Sequence, residues 1–196
     1  MPRRGEQVLG ADHPSTLMSR INFTMANHDA GRTAEAILLL ERTVTDSQRV
    51  LGTDHPNTLM ARNNLAMAYR DAGRTAEAIP LLERTLADYE RVLGTDHPNT
   101  LIARNNLATA YQDAGRIAEA IPLHERTLAD YERVLSTDHP DTLMSRNNLA
   151  GAYRDAGRTA EAIPLYERTL ADCERLLGAD HPTTKVVREN LAALTA

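Results

Sequence analysis

Residues 51–92 read LGTDHPNTLMARNNLAMAYRDAGRTAEAIPLLERTLADYERV, and the same 42 residues return almost unchanged at 93–134. A looser copy follows at 135–176, and a more diverged one precedes at 9–50. The triplet Asp-His-Pro fixes the period, placing His13, His55, His97, His139 and His181 at steps of 42 residues. Self-similarity at roughly 20–50 residues marks a stacked array whose units bury their apolar faces against one another. Residues 1–8 align with the end of a unit, as the remnant of a preceding helix, and residues 182–196 with the beginning of one.

Each unit reads as two helices. Pro56 suits a first helical position, where its missing N–H costs nothing, and Asp54 or His55, ahead of it, is expected to cap free amides. Gly73 supplies a left-handed stop after Ala72. Thr75 then offers a hydroxyl cap for a second helix running to Leu93. Pro80, one turn into that helix, should bend or loosen it, although Leu38 holds the same place in the first unit. At about 100° per residue, Leu59, Leu65, Ala66, Tyr69 and Ala72 share one face of the first helix. Ile79, Leu82, Leu86, Tyr89 and Leu93 share one face of the second. The expected fold is all-α: a single array over residues 1–196, of four helix pairs closed by a capping helix at 182–196.

Leu65-Ala66, Tyr69, Gly73, Ala78 and Leu82 carry a pattern that resembles the tetratricopeptide repeat (TPR), whose usual unit is about 34 residues. The longer unit, with its Gly-x-Asp-His-Pro opening and Asn-Asn-Leu-Ala core, is similar to the kinesin light chain type. The resemblance spans the chain from about Leu9. It departs in the first unit, where Phe23-Thr24 and Asn27 replace Leu65-Ala66 and Tyr69. It implies a right-handed TPR solenoid acting as a non-enzymatic protein–protein interaction scaffold, with an extended peptide or helix held in a groove lined by the first helix of each unit. Bacterial arrays of this kind occur alone or behind signalling ATPase domains, so the regulatory arm of such an ATPase is an alternative expectation. Self-assembly through the exposed ends, into homo-oligomers or filaments, is another.

Composition narrows the chemistry. Net charge is −5 and pI near 5.8, which argues against nucleic acid as partner. No apolar run approaches the ~18 residues needed to span a bilayer, and residues 1–10 carry no secretory apolar segment, so no membrane partner and a cytoplasmic location are expected. Cys173 is the one cysteine, in keeping with a reducing compartment. Lys185 is the one lysine among 22 basic residues, a bias that fits a GC-rich bacterial genome.

The five registered histidines invite a metal reading. Ligands must converge within about 2.0–2.2 Å of one ion, and side chains a full unit apart cannot. No metal and no cofactor is expected. Cys173 takes the core position of Tyr89, and the glycines occur singly rather than as a phosphate-cradling loop, so no catalytic residue is expected either.

The groove is the informative surface. Five of the six methionines, Met18, Met25, Met60, Met67 and Met144, fall on two positions of the first-helix face opposite the core stripe. The units at 51–92 and 93–134 differ at five places. Three are on that face: Met60 against Ile102, Met67 against Thr109, and Arg70 against Gln112. The others are Thr75 against Ile117 and Leu82 against His124. An asparagine amide both donates and accepts, so Asn22, Asn63, Asn64, Asn105, Asn106, Asn147 and Asn148 could grip a peptide backbone without reading its side chains; the family resemblance points to the same role. Their alternative is to fix the stacking of neighbouring helices. Arg70 and Arg154, at the groove edge, stand beside Asp71 and Asp155 and are expected to pair with them. Arg62, Arg104 and Arg146 face the packed side and are expected to pair with residues of the Glu83 or Glu90 type.

Overall fold

The computed structural model describes residues 33–195. Among them are eight α-helices and no strand: α1 (Thr33–Leu51), α2 (Pro56–Asp71), α3 (Thr75–Leu93), α4 (Pro98–Asp113), α5 (Ile117–Leu135), α6 (Pro140–Asp155), α7 (Thr159–Leu177) and α8 (Pro182–Thr195). The helix expected at the start of the first unit lies outside the described residues, with His13, Met18, Asn22, Met25 and His28. None of the described helices is long and apolar enough to cross a membrane.

The Asp-His-Pro segments are built alike. His55 is the N-cap of α2, and its Nδ1 accepts the Asn57 N–H at 3.1 Å. His97, His139 and His181 do the same for Asn99, Asp141 and Thr183. Thr58 Oγ1 donates back to the Gly52 carbonyl at 2.8 Å, and Thr100, Thr142 and Thr184 repeat the bond. Of the two expected candidates, His55 rather than Asp54 is the cap. The Asp54 carboxylate receives both Nη atoms of Arg91, at 2.6 and 3.0 Å, tying the loop to the second helix.

Thr75 is also corrected. The hydroxyl stands one residue too late: Thr75 is the first residue of α3, and its N-cap, Arg74, makes no side-chain capping bond. The Arg74 guanidinium instead forks onto Glu77 at 2.6 Å and lies 4.4 Å over the Tyr69 ring. Arg116 over Tyr111 and Arg158 over Tyr153 repeat the arrangement. The prolines at 80, 122 and 164 do not interrupt their helices. Each stands near the helix start with its ring exposed, where the loss is confined to one backbone bond.

The chain divides into two compact units, 1–103 and 104–196. In the first, Ile37, Leu40 and Val44 of α1 close over Ala61, Leu65 and Ala68 of α2. In the second, Leu143 and Ala150 of α6 pack with Ala162, Tyr166 and Cys173 of α7 and with Val187 of α8. Each sealed aliphatic side chain contributes about 1.5–3 kcal/mol, and the small alanines let the helices approach closely.

The arginines of the packed side are sequestered whole. Arg146 is fully buried, with Nη1 on Asp172 at 2.9 Å and Nη2 on Glu132 at 3.2 Å. Arg62 and Arg104 reach Asp88 and Asp130 at 2.8 and 2.6 Å. The Glu90 type is therefore a partner, as Glu132 shows, but the bond common to all three arginines goes to the Asp88 type. Burial alone pushes the Asp172 carboxyl up. Hydrogen bonds from Arg175 and Arg146 outweigh it and hold the group below its ordinary range.

Candidate functional site

Within residues 104–196, α4, α6 and α8 are joined by side-chain amides. Asn148 Nδ2 donates to Asn105 Oδ1 at 3.2 Å, and Asn190 Nδ2 donates to Asn147 Oδ1 at 3.1 Å. Each rung runs from the second asparagine of one unit to the first of the unit before. The last helix keeps only Asn190, the donor, beside Glu189. Asn147 is accordingly buried at 7% exposure, and Asn63, its counterpart in the other compact unit, at 8%. Asn64, Asn105, Asn106 and Asn148 are half-buried.

A cleft of about 180 Å³ opens beside this ladder. Thr109, Gln112, Asn147, Asn148 and Arg154, five of the expected groove residues, line it together with Asp113, Gly151, Tyr166 and Asn190. Gly151 stands where Met67 and Thr109 stand in the preceding units. A Cβ there would lie 3.4 Å from Tyr166 Oη and 3.6 Å from Gln112 Nε2. Tyr166, only 1% exposed, takes the place of Leu82 and His124 and brings its hydroxyl beneath the missing side chain. Gln112 Nε2 holds Asp155 Oδ2 at 2.5 Å, while Arg154 Nε holds Oδ1 at 2.9 Å. Thr109 Oγ1 turns back to the Asn105 carbonyl at 3.0 Å.

The remaining expected residues are more dispersed. Met60 is half-buried and packs against the Ile37–Leu40 cluster. Met67 is half-buried on the same helix, and Arg70 grips Asp71 through Nε and Nη2 at 3.0 and 2.7 Å. Ile102 and Met144 are left open at 43% and 39% exposure, as is Val186, at the same place on α8, at 45%. Gly151, Tyr166 and Asn190 were not anticipated. Alignment of the units carries the signal for the first two, since both exchanges occur together in the unit at 135–176.

Two buried groups stand apart. His124 is fully buried with neither ring nitrogen hydrogen-bonded, and burial pushes it down to about 4. Cys173 is buried, and burial raises its thiol above the ordinary range. Among the described residues no three His, Cys, Asp or Glu side chains converge as a metal site requires.

The architecture now has a family. The tetratricopeptide repeat description matches at residues 16–57, and again at 39–90, 60–133, 105–171 and 141–196. The chain belongs to the tetratricopeptide repeat family. Within it, the TPR units are of the kinesin light chain-like type. A solved structure described as kinesin light chain nearly identical TPR-like repeats, from Podosopora anserina, is 34% identical over 93% of this chain and 86% of that one, with a TM-score of 0.80. BtubC (BKLC) from P. vanneervenii shares the fold at 21% identity and a TM-score of 0.74, over 87% of this chain and 68% of that one. A Rap protein, solved in complex with Competence and Sporulation Factor, shares it at 12% identity and a TM-score of 0.72, over 99% of this chain and 58% of that one. No curated protein sequence matches the chain.

Proposed function

We propose that this TPR chain is a non-enzymatic protein-interaction module that holds an extended peptide segment against its first helices. The cleft beside the asparagine ladder is the observation that carries this reading. Five residues placed on one helical face by sequence period line a single polar opening there. An extended peptide presents an N–H and a C=O at every residue, and the amide ladder offers both kinds of partner along its length. Asn148 and Asn147, whose Nδ2 makes no hydrogen bond among the described residues, are the amides that border the cleft, the Asn105 and Asn147 side-chain carbonyls being committed to neighbouring helices. Met144 on α6 is open to take an apolar side chain of the same segment.

Panning a random-sequence peptide library against the whole chain tests the reading. The expected result is recovery of peptides that bind the intact array and lose at least tenfold in affinity to Gly151→Met, with the melting temperature unchanged. A Cβ at position 151 stands at ordinary contact distance from its neighbours, 3.4 Å from Tyr166 Oη and 3.6 Å from Gln112 Nε2, so the frame admits a side chain there. Peptides that bind Gly151→Met as tightly as the parent would sink the assignment of the cleft.

A further inference from the structure

The cleft differs from its sister positions in what its side chains leave unmet. In the unit at 51–92, Arg70 closes on Asp71 with two nitrogens. In the unit at 135–176, Gln112 has taken one oxygen of Asp155, so Arg154 keeps only its Nε bond to that carboxylate. Its Nη1 and Nη2 make no hydrogen bond among the described residues. Tyr166 Oη borders the same opening and is in the same state, although the residue is 1% exposed. Burial raises the phenol above its ordinary range, so the hydroxyl keeps its proton; the Arg154 charge opposes that rise, which places guanidinium and phenol close together. Asn147 Nδ2, on the same lining, is a third donor without a bond among the described residues.

Burial decides which unmet atoms need a ligand. Tyr166 and Asn147 are buried, so their donors are the deep ones. The unmet oxygens of the lining, Gln112 Oε1, Asn148 Oδ1 and Asn190 Oδ1, belong to half-buried side chains that water can serve. A buried O–H without an acceptor bears the full cost of its desolvation. A ligand that only donates would leave the tyrosine proton, the Arg154 fork and Asn147 Nδ2 as they are. The carboxylates of the lining do not meet the need either: Asp155 accepts from Gln112 and Arg154, and Asp113 has a partner of its own. Depth decides how an acceptor arrives. Gly151 stands where Met67 stands, so the opening is one side chain deep. A peptide lying along the helix face reaches Tyr166 through a side chain.

We infer that the Gly151–Tyr166 cleft is a subsite for a carbonyl-type oxygen carried on a side chain of the bound peptide, the terminal amide or carboxylate of Asn, Gln, Asp or Glu. Both groups offer the same planar acceptor to the Arg154 fork and the Tyr166 hydroxyl. The inference rests on the peptide-holding reading above and adds to it a kind of side chain at one position. The volume, about 180 Å³, accommodates a group of that size with room for water.

Three small probes test the subsite on the full chain. Propionamide and propionate carry the acceptor as amide and as carboxylate; propylammonium, with the same three carbons, only donates. Titrated into isotope-labelled protein, at least one of the two acceptors is expected to shift the Gly151 and Arg154 backbone amide resonances saturably. Which of them binds more tightly tells whether amide or carboxylate is the source. Propylammonium should bind roughly fivefold more weakly than the better acceptor, or worse. Tyr166→Phe should weaken that acceptor several-fold and leave the melting temperature within a degree or two, because the hydroxyl has no bond within the protein to lose. Gly151→Met should abolish the shifts. Propylammonium binding as tightly as the better acceptor would overturn the subsite. So would the absence of shifts with both acceptors, or a Tyr166→Phe variant that binds them like the parent. In each case, library peptides that still lose affinity to Gly151→Met would show the peptide-holding reading to survive. Failure of both would remove the two together.

Discussion

In the TPR unit at 51–92, Leu82 is sealed in the core and Met67 stands half-buried on the neighbouring helix. In the unit at 135–176 the corresponding residues are Tyr166 and Gly151, and a cleft opens where the methionine would be. The hydrogen bonds of the frame are the same in both: His55 and His139 cap, Thr58 and Thr142 turn back, and Arg62 and Arg146 reach an aspartate of the following helix. Side-chain bulk has moved from the outer member of the pair to the inner one. A repeat array can therefore change what it presents without disturbing what holds it up.

Attacking the shared frame should have the largest effect. Arg146→Leu leaves Glu132 beside an apolar side chain and Asp172 with Arg175 alone, and should cost about 3 kcal/mol, the low end of the usual penalty for halving a buried ion pair. The measurement is a fall in the urea midpoint at unchanged slope.

The middle unit breaks the comparison from the other side, because it places His124 at the Leu82 position with neither ring nitrogen satisfied. His124→Leu should stabilise the chain by about 2 kcal/mol at pH 7, relieving the cost of a buried polar ring without partners. The gain should grow in acid. A histidine held near 4 when folded, against about 6.5 when unfolded, leaves the chain fully stable above the higher value. It loses about 3 kcal/mol as pH falls from 6.5 towards 4. Parallel denaturation of parent and variant across that window should show the gap widening downward; a constant gap would place the histidine outside the core.

Ser136 offers a milder correction. It stands at φ 92°, ψ 163°, a conformation that glycine alone adopts without strain and that Gly52, Gly94 and Gly178 supply elsewhere. Ser136→Gly should raise stability by about 1 kcal/mol, read as a small rise in midpoint, and should bring that loop into line with its sisters. Thr75→Ala sits at the end of the scale. No capping bond is lost, so a change below about 0.5 kcal/mol is expected in the same assay.

What the amino-acid order discloses follows from what period can encode. The helices, their prolines and glycines and most of the core stripe repeat and were legible, although Ala72, placed on that stripe, is exposed at the helix end. Partner choice within a repeat was less so. Asp88 and Glu90 lie two residues apart on one helix, and only packing shows that the aspartate is the partner common to Arg62, Arg104 and Arg146. The capping role given to Thr75 failed because a hydroxyl one residue inside the helix cannot turn back on its own amides; Ile117 at the same place already showed it to be dispensable. The asparagines revealed their face but not their bonds, since a rung 43 residues long joins positions that no single helical wheel contains. The cleft escaped notice because it lies in a correlated exchange, legible only when Gly151 and Tyr166 are read as one change.

The stride of those rungs bears on how such a chain is copied. Each bond joins a residue to one 43 positions later, one more than the repeat length. Any in-frame excision or duplication of 42 residues, wherever its ends fall, re-forms this register with new neighbours. Unequal recombination between near-identical units can then lengthen or shorten the array without misaligning a rung, and heredity can adjust copy number in whole steps.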